Sequence, residues 1–319
     1  MANNDQEAMD SIVKKLRESD YIHIITHQSP DPDTLGSGLA LCFALQGLGK
    51  TVKLVYDARF AQKNRFLFDG YVDSDFPAQV LVTVDIAAPH LFPEAVPQDL
   101  NIDICIDHHM HNEIMATWKL VKPSAAATGE IVYDLIQHLG ATISPQIAKC
   151  LYTAIATDTY CFRQESTTAR SHQLAAELIR AGIDHTDINH RMFASESLKD
   201  FELKKMFFAS VEFFYGGRAA IVAITEEMLQ KAGLEQEQLD NTLYSELIKI
   251  EGVQLSAVLR EQDKLVKISI RTNKPYNAND IAKQLHNGGG HKRAAGCSTP
   301  GPIAAAKLAL INKLGEILT

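Results

Sequence analysis

Short apolar runs alternate with longer amphipathic stretches through the first half of the chain. Residues 21–26, 52–56, 80–84 and 102–106 are compact runs rich in Val and Ile. Between and after them, residues 34–48, 127–139 and 145–157 carry apolar positions at helical spacing. Near-continuous apolar strands separated by helices read as a parallel sheet covered on both faces, because a strand buried on both sides has no solvent face to alternate with. The predicted fold class is therefore α/β. Sheets of this kind bind ligands beyond the carboxyl ends of their strands.

Residues 168–209 read as helical, with breaks at Gly182 and around 184–187. The charged stretch 195–205 lies within the expected helical linker, which divides the chain into 1–194, a linker over 195–210, and a smaller α/β domain over 211–319. The second domain is expected to hold strands at 219–224, 254–260 and 265–271, with helices at 238–250 and 279–285. The pair 254–260 and 265–271 brackets Glu261-Gln262-Asp263-Lys264 and reads as a hairpin. A last helix opens at Pro302 and runs to about residue 318.

A chain of 319 residues is long enough for two cores. Its 46% hydrophobic and 22% charged residues are ordinary for a globular protein. No apolar run approaches the roughly 18–20 residues that cross a bilayer, so no membrane partner is expected. The amino terminus lacks the basic-then-apolar pattern of a secretion signal. Cys42, Cys105, Cys150, Cys161 and Cys297 are scattered in or beside apolar stretches and read as reduced thiols, which points to the cytoplasm. A net charge of −8 opposes the many phosphate contacts that long duplex nucleic acid requires. A locally positive pocket can still take a small anion. A homodimer is compatible with the sequence.

The candidate chemistry follows the apolar runs. His27, Asp31 and Asp33 come after the first, Asp85 after the third, Asp107-His108-His109 after the fourth, and Asp158 after the helix ending near Thr157. Any one of these alone is an ordinary turn former, cap or packed imidazole. Together they would crowd like charges at one end of a sheet, at a cost that divalent cations remove. Carboxylates with imidazoles and no thiolate suit a hard or borderline ion. Manganese is preferred because of the histidines, with magnesium, cobalt or zinc as alternatives. The donors outnumber what one ion needs, so two ions are expected, an arrangement suited to phosphoryl transfer. A second cluster, Gly288-Gly289-Gly290-His291-Lys292-Arg293, combines backbone that can approach an anion with three basic side chains. Arg271 could add a planar fork for phosphate.

These residues resemble the DHH phosphoesterase superfamily in its two-domain DHH–DHHA1 form, over nearly the whole chain. His27-x-x-Pro30-Asp31-x-Asp33, with Gly36 and Ser37, is similar to the first motif; Asp85 matches the second, Asp107-His108-His109 the third and Asp158 the fourth. Residues 288–296 are similar to the GGGHxxAAG loop of DHHA1. The resemblance implies one metal on His27 and Asp31, another on Asp33, His108 and Asp158, and Asp85 bridging. It further implies that Asp107 orients the adjacent imidazoles, that His109 faces the substrate phosphate, and that Arg271 and His291 hold the substrate's other end in a cleft between domains. Members often have Gly two residues after the fourth-motif Asp, where this chain has Tyr160.

Within that superfamily, a chain of this length resembles the compact NrnA-like oligoribonuclease and pAp-phosphatase group. The implied substrates are short single-stranded RNA and small nucleotides. Hydrolysis of linear dinucleotides such as pGpG or pApA, or of cyclic dinucleotides, is one alternative. A family II inorganic pyrophosphatase shares the first-domain motifs but not the glycine loop. A non-catalytic nucleotide-binding regulator is a third reading.

Overall fold

The computed structural model describes residues 2–59, 62–236, 239, 241–262, 265–286 and 288–318. The chain divides into two compact units, Met1–Ser195 and Glu196–Thr319.

The first unit is built on five parallel strands: β1 (Tyr21–Ile25), β2 (Thr51–Val55), β3 (Val80–Val84), β4 (Ile102–Asp107) and β5 (Ala116–Val121), in the order β2-β1-β3-β4-β5. Its helices are α1 (Ala2–Glu18), α2 (Pro32–Gly47), α3 (Thr128–Leu139), α4 (Pro145–Asp158), α5 (Ala169–Arg180) and α6 (His185–Asn189). The strand residues serve two cores. Ile22, Ile24, Val82, Val84, Ile104 and Ile106 pack with residues from the helices, each such burial contributing about 1.5–3 kcal/mol. Ile25, Ile102 and Cys105 pack with Ile86, Phe92 and Ile114 from the connection between β3 and β5. Both faces are thus covered, one by helices and the other by largely irregular chain.

Two elements of this unit escape the sequence reading. The strand β5 lies at the sheet edge with alternating exposure, so it lacks an apolar run. The helix α1 does carry a signal, with Met9, Ile12, Val13 and Leu16 forming one buried stripe. Close packing of α2 on α4 depends on Gly36, where a Cβ would stand 2.5 Å from the Cys150 carbonyl oxygen.

In the second unit, α7 (Leu198–Ala209) gives Leu203 and Phe207 to a core shared with Ala220 and Val222. This helix occupies most of the segment expected as a linker. Then follow β6 (Glu212–Phe214), β7 (Ala219–Ile224), α8 (Glu226–Ala232), β8 (Leu255–Gln262), β9 (Leu265–Thr272), α9 (Ala278–His286), β10 (Gly289–Gly290), β11 (Ala294–Pro300) and α10 (Ile303–Leu318). They form a mixed sheet in the order β10-β11-β9-β8-β7-β6, with only β7 and β8 parallel. The expected hairpin is the antiparallel β8–β9 pair; Asp263 and Lys264 of its turn lie outside the described residues. The helix expected over 238–250 is not formed as such. Asn241–Ser245 and Leu247–Lys249 are short 3₁₀ turns, while Gln238 and Asp240 lie outside the described residues.

Candidate active site

The strand order places β1 and β3 side by side although β2 intervenes in sequence, and such a switch point opens a crevice at the strands' carboxyl ends. His27 follows β1, Asp85 follows β3, and β4 ends on Asp107, before His108 and His109. Asp31 caps α2, its Oδ1 accepting from the Asp33 and Thr34 N–H groups at 3.0 Å each. Asp158 closes α4.

These side chains converge. His27, Asp31 and Asp85 form one group with ligand atoms close enough to share an ion; Asp33, His108 and Asp158 form another; Asp85, His108 and His109 form a third. His108 Nε2 lies 3.4 Å from Asp158 Oδ2 and 3.7 Å from Asp85 Oδ1, and His27 Nε2 lies 3.7 Å from Asp31 Oδ1. The separations exceed hydrogen-bond length and leave room for an ion between donors.

Residues behind this first layer hold it in place. The His108 Nδ1 lies 3.3 Å from the Ala125 carbonyl, which can only accept, so Nδ1 donates there and Nε2 faces the carboxylates. Asp107 is fully buried at the end of β4. Its Oδ1 accepts from His109 Nδ1 at 2.7 Å and from the His108 N–H at 2.8 Å, while Oδ2 accepts from Asn112 Nδ2 at 2.6 Å. Asp107 therefore orients the His109 ring directly, whereas the His108 ring is set by Ala125. Asp33 accepts from the N–H groups of Thr128 and Gly129, the first turn of α3, and from Ser37 Oγ. Thr128 Oγ1 donates to Asp85 at 2.8 Å.

Asn112 and Thr128 are supporting residues not singled out from sequence, and Ser37, named there only as continuing the first motif, acts as a third. Nothing in the spacing of Asn112 or Thr128 marks them, because their roles arise from folding.

The carboxylates repel one another in a partly dry crevice. Burial, with added charge from Asp31, pushes Asp33 up to about 6 against the pull of His108 and its hydrogen bonds. Burial and the charges of Asp33, Asp31, Asp158 and Asp107 push Asp85 well above the ordinary range. Desolvation, then Asp33 and Asp31, do the same to Asp158. Burial alone would also lower His109, but the hydrogen bond and charge of Asp107 outweigh it and raise its pKa. Carboxylates and imidazoles without thiolate, short of positive charge, fit divalent cations.

Backbone strain marks the same place. Asp85 adopts φ 61°, in the left-handed region. Beyond Asp158, Tyr160, Cys161 and Phe162 adopt φ 47°, 57° and 63° in succession. This gives the physical reason for glycine in related motifs: it takes that conformation freely, whereas other residues bear about 1–2 kcal/mol each. Tyr160 keeps the left-handed shape regardless.

The other expected cluster lies in the second unit. Gly289 and Gly290 form a minimal strand paired with Gly296 and Ala295. A Cβ on Gly290 would meet the Ala294 carbonyl oxygen at 2.6 Å, and Gly290 has φ 142°, so the chain there admits only glycine. The glycines thus serve a tight hairpin, closed by the His291 N–H bond to the Ala294 carbonyl at 2.7 Å. His291 and Lys292 are exposed at its tip, and Arg293 donates to the Tyr276 carbonyl at 2.8 Å. Arg271 stands opposite Ala294 across the β9–β11 pairing, half-buried, with Nε 3.4 Å from Ser245 Oγ.

Comparison with known proteins agrees with this layout. A model of the DHH family, N-terminal domain, matches residues 21–155, and one of the DHHA1 domain matches residues 216–318. The chain is 36% identical over 286 residues to the bifunctional oligoribonuclease and PAP phosphatase NrnA of Thermus thermophilus, covering 88% of this chain and 84% of that one. It is 29% identical to the probable bifunctional oligoribonuclease and PAP phosphatase NrnA of Streptococcus mutans, covering 92% and 94%. Among solved structures, an exopolyphosphatase-related protein from Bacteroides fragilis superposes with a TM-score of 0.84 at 26% identity, covering 98% of this chain and 97% of that one.

Proposed function

The chain belongs to the DHH family in its two-domain DHH–DHHA1 form, and from that membership we propose a two-metal phosphoesterase that releases 5′-mononucleotides from RNA a few nucleotides long and removes the 3′-phosphate of pAp. The observation that carries this reading is the gathering of Asp31, Asp33, Asp85 and Asp158 with His27 and His108 at the switch point of the sheet. Relatives named as oligoribonuclease and PAP phosphatase align over most of both chains.

One ion would be held by His27, Asp31 and Asp85 and a second by Asp33, His108 and Asp158, with Asp85 shared; manganese suits this donor set best. Bound there, two such ions supply an electrostatic clamp on phosphoryl oxygens and a water acidified enough to attack. The protein's own groups do the rest. Asp107 fixes His109 through Nδ1, leaving Nε2 to donate to a phosphate oxygen. Asn112 and Thr128 hold Asp107 and Asp85 in their rotamers. Arg271, His291 and Lys292, with the N–H groups of Gly289 and Gly290 and the charge of Arg293, would bind the remote phosphate or base.

Among the described residues no helix is long and apolar enough to cross a membrane. Five free cysteines, four of them buried, support a reducing compartment and a cytoplasmic location.

The test is a hydrolysis panel with Mn²⁺ on RNA of two to five nucleotides, pAp, linear and cyclic dinucleotides, and pyrophosphate. Release of 5′-mononucleotides from the RNAs and of AMP from pAp is expected. Turnover confined to pyrophosphate, or bound metal with no turnover at all, would overturn the reading.

A further inference from the structure

Two irregular turns of the first unit meet, one of them directly following Asp158 of the carboxylate cluster. One is the left-handed run Tyr160–Cys161–Phe162 that follows Asp158. Thr159 staples it from within: its carbonyl accepts the N–H groups of Arg163 at 2.8 Å and Gln164 at 3.0 Å, and its hydroxyl accepts that of Phe162 at 3.0 Å. The other is a single turn of π-helix, His190–Ala194, after α6. Such turns are rare and collect at functional sites. Their contact is aromatic, for the Tyr160 and Phe193 rings meet edge to face at 5.9 Å. The Arg163 guanidinium sits over the Tyr160 ring, 5.7 Å from its centroid.

Tyr160 and Phe193 are half-buried and Arg163 is exposed. The Cα of Tyr160 lies within about 7.6 Å of that of Asp158, since two peptide units can span no more. A strained, bulky residue at a position that glycine would fill without cost points to a use for the ring. An aromatic ring with a guanidinium laid on it is the surface on which single-stranded nucleic acids stack their bases, and it tolerates any base because each has a π-face.

We propose that Tyr160, Arg163 and Phe193 form a stacking platform for one nucleobase of the RNA whose phosphodiester lies at the carboxylate–imidazole cluster. The inference rests on the oligoribonuclease reading above. Phe193 buttresses the Tyr160 ring, Tyr160 supports the guanidinium, and the base stacks on the exposed side of Arg163. The platform selects for substrates that carry a base at that position, whatever its identity.

The experiment uses the full chain with Mn²⁺, a triribonucleotide, and three versions of it each lacking one base. For the wild type, one abasic version should show a KM raised about ten-fold, the scale of one stacked base. Tyr160→Gly should raise KM for the intact trimer by a similar factor with kcat held within about two-fold, and should no longer discriminate against that abasic version. Thermal melting of Tyr160→Gly should change by no more than a few degrees, because the relieved left-handed strain offsets the lost contact with Phe193. Arg163→Gln, on an exposed side chain, should reproduce the same loss of discrimination and serves as the second variant. An unchanged KM in both variants, or an equal loss on intact and abasic RNA, overturns the platform while leaving the oligoribonuclease reading in place. No nucleotide release from any RNA by the wild type overturns that reading and the platform with it.

Discussion

Asp85 leaves β3 at φ 61° with its carboxylate buried, accepting a hydrogen bond from Thr128 Oγ1 and facing both His108 and His109. A left-handed backbone restricts which substitutions are informative there. Alanine would add strain of its own, whereas asparagine tolerates that conformation. Asp85→Asn should therefore fold, lose at least about a thousand-fold in kcat, and melt a few degrees higher than the wild type in chelator, because one member of a repelling cluster has been neutralised. Its melting point should no longer rise with added Mn²⁺; normal turnover would refute the shared-ligand role. Asp33 bears on pH. Its folded-state pKa of about 6 lies above the ordinary 3.8, so the folded protein holds this proton more tightly than the unfolded chain. That contribution is full below the ordinary value and is lost as pH rises through about 6. In chelator, melting points from pH 4.5 to 7 should fall more steeply for the wild type than for Asp33→Asn, and Mn²⁺ should counter that fall in the wild type much more than in the variant, which lacks a ligand.

At the scale of elements, the site exists because helix termini and strand ends are delivered to one crevice. The first turn of α3 brings two N–H groups to Asp33, and α4 brings Asp158. The contact of α2 with α4 at Gly36 is part of that delivery. Gly36→Ala would press a methyl group against the Cys150 carbonyl, at a cost of about 1–3 kcal/mol, and should lower the melting point without changing the Mn²⁺ requirement per folded molecule. Thermal melts followed by metal titration of the folded fraction would check both parts. Strands β1 to β4 were legible because each carries a compact apolar run, and His27, Asp85 and the Asp107-His108-His109 stretch stood out by following them. The edge strand β5, the hairpin made by Gly289 and Gly290, and the 3₁₀ turns near residue 245 were not. The strand β5 alternates exposed and half-buried positions and so has no apolar run, glycine pairs have no propensity for a strand, and turns held by tertiary contacts carry no periodicity. Thr128 and Asn112 illustrate a further gap, since a hydrogen bond spanning 43 residues between Thr128 and Asp85 has no local signature.

For the molecule as a whole, the two groups of candidate residues belong to units with separate cores. The metal-ligating candidates fall within Met1–Ser195, and Arg271 with the glycine hairpin falls within Glu196–Thr319. Ion binding and remote substrate binding should then be separable by mutation. Arg271 is half-buried, and desolvation holds its guanidinium below its usual pKa. Truncation to alanine removes a planar donor fork, so the KM for RNA and pAp should rise at least about ten-fold. Arg271→Lys should restore only part of this, because an ammonium keeps the charge but not the bidentate geometry. Metal binding should be untouched in both variants. Mn²⁺ at about a hundred times its Kd stabilises a folded protein by about 2.7 kcal/mol, and the melting shift it produces should match the wild type's. If Arg271→Ala lost that shift along with activity, Arg271 would be supporting the fold, and the division of labour between the two units would fail.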